Sequence, residues 1–441
     1  MSYTSSSTLH TLISHKDLSY VIQGTILVES LSGDGSTFYE FLEGITEKTL
    51  PETLNDRNLP KSIKELFSGF PQQSYLAVWT IGMLAKWNDI TNLRLSDFDL
   101  TRLPDSIEHL TNLTYLDLRR NQISRLPESF GKMTKLENLC LHDNRLSELP
   151  ETCRELVHLT DLDVSRNQFS QLPDWIGDLS LLTDLDLSEH HVQPFPDCLG
   201  KLTNLKKLRL NRNHLSNIPS CIENLKNLET LCVQGNQVQF LPDWLSDLPK
   251  LRALYVTDNH LSSVPDWVVN LRTDGEYDEL NLTGNPIECI PKEATGVLLD
   301  AKQLHHLQKQ LENNPNIFSL SLDYAHLHTL PVWIGNLTQL TELNLHGNDL
   351  SMLPDSIQNL VNLDRLCLWD NRLTHLPEWI GNLTSLTSLD LSVNQLTCLP
   401  DSIKNLKSLD YLCLYWNELS SLEEQRIEDI FKDQRVNIVF E

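Results

Sequence analysis

The sequence predicts an α/β solenoid, a repeat fold with a parallel sheet, from a fixed period, a change of apolar spacing within each period and a recurring asparagine. Residues 353–375, LPDSIQNLVNLDRLCLWDNRLTH, show all three features. Their apolar residues are three apart from Ile357 to Leu366 and then two apart from Leu366 to Leu368, as residues on a strand alternate. A unit this short cannot bury its own apolar face, so it must stack on copies of itself.

The period of 23 residues extends along most of the chain. A Leu-Pro pair opens most units and an asparagine closes most LxxLxL motifs. These asparagines are Asn121, Asn144, Asn167, Asn213, Asn236, Asn259, Asn348, Asn371, Asn394 and Asn417. The units fit LPxxIxxLxxLxxLxLxxNxLxx and resemble leucine-rich repeats of the 23-residue intracellular and bacterial type over roughly residues 91–420. The resemblance implies a horseshoe with its parallel β-sheet on the concave side, and asparagines bonded to the backbone of the neighbouring turn.

Breaks in the period predict the domain organisation. The predicted parts are a mostly helical N-terminal cap or region (1–86), a first repeat block (87–285), a helical insertion or former cap (286–316), a second block (317–420) and a short C-terminal cap (421–441). Asn285 closes a motif three residues late, and a helical pattern of leucines follows. This segment is either a helix bulging from a continuous solenoid or a former cap between two blocks. A continuous but kinked solenoid is favoured because the register recovers at Leu320 and Leu322.

Composition and missing motifs limit the function classes. The formal charge of −25 argues against nucleic-acid and anionic membrane partners and favours basic protein surfaces. No run of 18 apolar residues exists, so we expect no membrane span. No nucleotide, nucleophile or metal-ligand motif occurs, so we expect no enzyme activity and no cofactor. Scattered cysteines and the lack of a signal peptide favour the cytoplasm, or a host cytoplasm for a translocated effector.

Carboxylates form the first candidate binding site. Four of them lie at solvent-facing positions of two consecutive strand motifs: Asp161, Asp163, Asp184 and Asp186. Like charges on adjacent strands do not stabilise a sheet, so a docking site for a basic segment is one interpretation. Neutralisation by Arg166, Lys207 and Arg209 is the other.

Aromatic residues form the second candidate site. The rings and their neighbours fall at sheet-face or rim positions: Trp369, Tyr411, Tyr415 and Trp416, with His346 and Arg365 beside them. Rings on a solvated sheet have no core to fill, and Trp, Tyr and Arg dominate the energy of protein contacts. Alternatively, the C-terminal cap covers Tyr411 and Trp416.

These features predict a non-enzymatic scaffold that binds another protein on its concave surface, with the carboxylates docking a basic segment of that partner. A bacterial effector or regulatory subunit, with an activity in residues 1–86, is the alternative. Binding of a small ligand or carbohydrate by the aromatic site is a third option.

Overall fold

The computed structural model describes residues 91–97, 99–103, 107–108, 110–190, 194–271 and 280–440. The predicted N-terminal cap, and any activity assigned to residues 1–86, lie outside these ranges. The chain divides into two compact units, Met1–Leu182 and Thr183–Glu441. The described parts of both units contain short parallel strands, as the sequence predicts.

In the described part of the first unit the strands pair in chain order. They are β1 (Asn92–Arg94), β2 (Tyr115–Asp117), β3 (Asn138–Cys140) and β4 (Asp161–Asp163). In the second unit, β5 to β8 pair in chain order, and so do β9 to β16. These strands are β5 (Asp184–Asp186), β6 (Lys207–Arg209), β7 (Thr230–Cys232), β8 (Ala253–Tyr255), β9 (Leu280–Asn281), β10 (Gly296–Leu298), β11 (Ser319–Ser321), β12 (Glu342–Asn344), β13 (Arg365–Cys367), β14 (Ser388–Asp390), β15 (Tyr411–Cys413) and β16 (Asn437–Val439).

In most repeats a crossing segment that a proline starts separates one strand from the next. In residues 353–375, Pro354 has φ −70° and ψ 145°, and the 3-10 helix Asp355–Asn359 follows it. The pyrrolidine ring fixes this φ. Proline also lacks a backbone N–H, which would have no acceptor within the helix at this position. The other 3-10 helices are Glu128–Lys132, Glu151–Glu155, Asp174–Asp178, Asp197–Lys201, Ser220–Asn224, Asp243–Asp247, Asp266–Asn270, Val332–Asn336, Glu378–Asn382 and Asp401–Asn405.

The repeated leucines and asparagines hold successive units together. Leu366 and Leu368 are buried, which turns the alternate residues of β13 to solvent. Asn371 donates to the carbonyls of Leu345 (2.9 Å) and Leu368 (3.1 Å), and its oxygen accepts the amide of Leu350 (3.1 Å). The side chain thus satisfies buried backbone groups of two units, as the resemblance implied.

The segment after Asn285 contains a strand that the sequence analysis does not anticipate. Strand β10 pairs with β9 on one side and β11 on the other. The predicted helical pattern forms two short helices, α1 (Ala301–His306) and α2 (Gln308–Asn313). In place of an asparagine, the amide of Gln303 donates to the carbonyls of Leu282 (2.7 Å) and Asn285 (2.9 Å). The segment is therefore a repeat whose crossing part is helical.

The predicted C-terminal cap consists of a helix and a strand. The helix α3 (Ser421–Phe431) begins after Ser420, whose hydroxyl accepts the amide of Glu423 (3.3 Å). Its buried side chains are Ile427 and Phe431. Strand β16 then pairs with β15, so β15 is not left with an open edge.

Candidate interaction surface

The solvent-facing positions of each LxxLxLxxN motif form what we term the strand face. In the β13 repeat these positions hold Arg365, Cys367, Trp369 and Asp370. Their neighbours Leu366 and Leu368 are buried. The fold therefore constrains the leucines and leaves the strand-face side chains free to vary.

Trp369 and His346 are brought together on the strand face. Their rings are stacked, with centroids 3.9 Å apart and planes 19° apart. His346 is only 5% exposed, whereas Trp369 is 38% exposed. The Nε2 atom of His346 is buried without a hydrogen-bond partner. The unpaired nitrogen costs some stability, and the stacking of the two rings offsets part of this cost.

Tyr324 extends this stack, and the sequence analysis missed it. Its ring centroid lies 4.5 Å from that of His346, and 59% of the residue is exposed. Gly347 makes room for the ring: a Cβ there would lie 2.5 Å from two carbons of Tyr324. Ala325 stands where other repeats have asparagine, and this substitution hid the position from the motif. Applying the period without requiring the asparagine would have found it.

Tyr415 and Trp416 form a second aromatic pair, stacked with centroids 5.2 Å apart. Trp416 is 68% exposed, so the C-terminal cap does not cover it. Tyr411 is half-buried in β15. A hydrogen bond with the thiol of Cys413, together with burial, raises the pKa of Tyr411 to about 12. Tyr411 therefore remains a neutral phenol at physiological pH.

Arg365 does not stand free beside the rings. It lies 3.7 Å from a carboxylate oxygen of Glu342 on β12 and 4.0 Å from one of Asp364. Glu342 is mostly buried, and this burial raises its pKa although Arg365 opposes the shift. Arg365 thus balances a local charge, and its role in partner binding stays a prediction.

The four predicted carboxylates are divided between the two compact units. Asp163 accepts hydrogen bonds from the amide (3.0 Å) and hydroxyl (2.5 Å) of Ser165, while Asp161 accepts one from the Thr160 hydroxyl (2.7 Å). In the second unit, Asp184 and Asp186 lie on β5, and Lys207 approaches Asp184 to 3.4 Å. Lys207 therefore neutralises part of the predicted charge. Action of the four carboxylates as one site stays a prediction.

A buried ion pair in the first unit was not singled out from the sequence. Asp117 is 1% exposed, and Arg119 donates to both its oxygens at 2.9 and 2.7 Å. Burial alone would raise the pKa of Asp117, but the hydrogen bonds from the side chain and backbone of Arg119 outweigh it and lower that pKa. Residues two apart on a strand share a face, which is the signal that could have found the pair.

The eighth motif position has a left-handed backbone in both aromatic regions. The φ values are 50° at Tyr324, 51° at Trp416 and 67° at Gly347. Residues with a Cβ pay an energetic penalty in this conformation, which glycine avoids and asparagine tolerates best. The same conformation recurs at this position in other repeats, for example at Arg120 (52°) and Val393 (51°), so it belongs to the repeat and does not distinguish Tyr324 or Trp416.

Two further features of the described ranges bear on function. Within them, no group of three or more His, Cys, Asp or Glu side chains is arranged to hold a metal ion. No helix there is long and apolar enough to cross a membrane.

Comparison with known proteins gives matches along the repeats. A family model described as a leucine-rich repeat region matches residues 197–285 and 296–438. A second model, described as leucine rich repeat, matches residues 88–146 and 134–192. No curated protein sequence matches the chain.

Solved structures share the fold. A leucine-rich repeat protein of Leptospira interrogans is 30% identical, with 84% of this chain and 99% of that one covered and a TM-score of 0.51. YopM, a leucine-rich effector protein from Yersinia pestis, is 23% identical, with 83% and 96% covered and a TM-score of 0.49. The ectodomain of the receptor kinase GASSHO1/SCHENGEN3 from Arabidopsis thaliana, in complex with CASPARIAN STRIP INTEGRITY FACTOR 2, is 24% identical, with 81% and 48% covered and a TM-score of 0.47.

Proposed function

Because the chain belongs to the leucine-rich repeat family and is of the bacterial type, we propose that it is a non-enzymatic scaffold that binds another protein. The contact surface is the strand face of β11–β15, which the resemblance places on the concave side. Proteins of this fold commonly serve as interaction scaffolds, and this role needs no catalytic group.

Exposed aromatic rings carry the proposal. Trp369, Tyr415 and Trp416 are 38%, 37% and 68% exposed. Exposed rings gain little from burial, and Trp and Tyr contribute strongly to contacts between proteins. Contact with a partner protein is therefore the best explanation for these three rings.

Charge supports a protein partner with a basic surface. The formal charge of −25 opposes binding of a phosphate backbone and steers basic proteins towards the chain. The acidic pairs on β4 and β5 would add to this attraction. Rim charges of this kind change the association rate more than the affinity, so the aromatic residues would supply most of the binding energy.

The test compares capture of partners by the wild-type chain and by the double variant Trp369→Ala with Tyr415→Ala. We expect the double variant to lose the captured partner and to keep its melting temperature within a few degrees. Pull-down with quantitative mass spectrometry and thermal denaturation measure the two effects. Phe240→Ala is the matched control, because Phe240 is also exposed but lies outside the strand face. Unchanged capture by the double variant, or its collapse on mild heating, would contradict the proposal.

A further inference from the structure

Trp369 and Tyr415 stand on either side of Ser392. Strands β13, β14 and β15 pair in register, and two backbone hydrogen bonds extend this register beyond the strands. The amide of Asp370 donates to the carbonyl of Ser392 (3.0 Å), and the amide of Val393 donates to that of Tyr415 (2.7 Å). A small residue therefore separates two aromatic ones, and we term this arrangement the aromatic slot.

The backbone spacing of the aromatic slot admits one flat group. Its two walls are two strand spacings apart, roughly 10 Å, and a planar group in contact with a ring on each side needs about 7–8 Å. One face of the Trp369 ring is stacked on His346 at 3.9 Å, and the Tyr415 ring is stacked on Trp416 at 5.2 Å. Ser392, the residue between the two walls, has a small side chain and is 5% exposed.

The floor of the slot is acidic. Asp390 accepts the amide (2.9 Å) and the hydroxyl of Ser392, which holds the carboxylate in place. Asp370 lies at the rim and is exposed. Within the described ranges no cationic side chain pairs with either carboxylate, and the nearby Arg365 is paired with Glu342 (3.7 Å). The slot therefore combines aromatic walls with unbalanced negative charge.

We propose that the aromatic slot takes the guanidinium group of an arginine in the partner protein, an inference that rests on the proposed function. A guanidinium is flat, so it can stack on Trp369 and Tyr415 while donating hydrogen bonds to Asp390. A lysine ammonium is compact and strongly hydrated, and it gains less from two flat walls. An apolar side chain would cover the Asp390 carboxylate without supplying a counter-charge, which is unfavourable.

Two fluorescent peptides test the inference, identical except that one has four arginines and the other four lysines. Both carry the same charge, so the acidic chain attracts them equally at long range. At physiological salt we expect the wild-type chain to bind the arginine peptide roughly ten-fold more tightly by fluorescence anisotropy. In Trp369→Ala and in Tyr415→Ala this ratio falls towards one. Asp390→Asn weakens binding of the arginine peptide.

Controls separate stacking from charge. Phe240→Ala and Asp243→Asn remove an exposed ring and an exposed carboxylate outside the strand face, and both should keep the wild-type ratio. A third peptide with citrulline, a flat and uncharged isostere of arginine, should bind far more weakly than the arginine peptide. Equal binding of arginine and citrulline peptides, or a wild-type ratio near one, would overturn the inference.

Failure of the inference can be told apart from failure of the proposed function. If the peptides are not distinguished but the double variant loses its captured partner, the surface binds a protein without an arginine in the slot. If the peptides are distinguished but the partner is captured unchanged, the proposed function is wrong.

Discussion

The strand faces of β2–β4 and of β11–β15 are built on one repeat but differ in how their side chains find partners. On β2–β4 the polar groups bind one another: Asp117 pairs with Arg119, and the Ser165 hydroxyl donates to Asp163 and lies 2.7 Å from Nδ1 of His142. On β11–β15 the rings are exposed, and His346 keeps an unpaired nitrogen. The repeat does not dictate these positions. The first face carries few exposed rings and links its polar groups to one another, whereas the second adds exposed rings, for which we propose a partner.

The largest expected effect comes from breaking the ion pair of the first face. Asp117→Ala and Asp390→Ala both remove a carboxylate that accepts the amide two residues further on, at 3.1 Å from Arg119 and 2.9 Å from Ser392. Only the first also removes an arginine contact. Asp117→Ala should therefore reduce the free energy of unfolding by about 1–2 kcal/mol more than Asp390→Ala does. The difference is no larger because the Arg119 side chain is 41% exposed and can return to water.

Urea denaturation followed by circular dichroism measures both free energies of unfolding. Because Asp390→Ala also removes the hydrogen bond from the Ser392 hydroxyl, equal losses in the two variants would mean that the ion pair adds no more than that single hydrogen bond. The two faces would then not differ in self-stabilisation.

Most of the fold could be predicted because the same local interactions recur in most repeats. A proline starts the crossing segment, alternating leucines define the strand, and an asparagine fills the same hydrogen-bonding position. Strand β10 was missed because its repeat lacks that asparagine, and Gln303 delivers the amide from helix α1 instead. The longer glutamine side chain reaches carbonyls of the preceding repeat from a helix. A motif that requires asparagine at a fixed position cannot detect this substitution.

The candidate site could be predicted only in part. Alternation along a strand was enough to place Trp369 and Tyr415 on the solvent side. The stacking of Trp369 on His346 depends on side-chain rotamers, and the contact of Arg119 with Asp117 depends on a side chain that folds back along its own strand. Neither is set by periodicity, so both needed coordinates.

A smaller effect is expected from closing the space under Tyr324. Gly347 and Gly235 have φ of 67° and 65°, so replacement of either by alanine introduces similar backbone strain of about 1 kcal/mol. The new Cβ would lie 2.5 Å from the Tyr324 ring at Gly347 but 2.7 Å from the flexible Arg212 side chain at Gly235. Gly347→Ala should therefore destabilise the chain more and displace the ring from His346.

Denaturation and the NMR chemical shifts of the His346 ring report on these two variants. Equal destabilisation, with His346 shifts unchanged in Gly347→Ala, would show that Tyr324 does not hold the aromatic stack. In that case the second face would be looser than the structure indicates.

The smallest expected effect is an opposite pH dependence of one carboxylate on each face. The pKa of Asp117 is lowered by Arg119 despite burial, so its stabilisation is present above the ordinary value of 3.8 and is lost as the pH falls through the folded-state pKa. The pKa of Glu342 is raised by burial despite Arg365, so the folded state binds this proton more tightly and gains stability as the pH falls through its folded-state pKa. The stability lost in Asp117→Asn should thus shrink on acidification. Glu342→Gln should stabilise the chain at neutral pH, because it removes the cost of burying the charged carboxylate, and this gain should disappear in acid. Stability curves of both variants against the wild type from neutral pH to about pH 3 would show the two trends, and parallel trends would mean that both faces hold their charges in the same way.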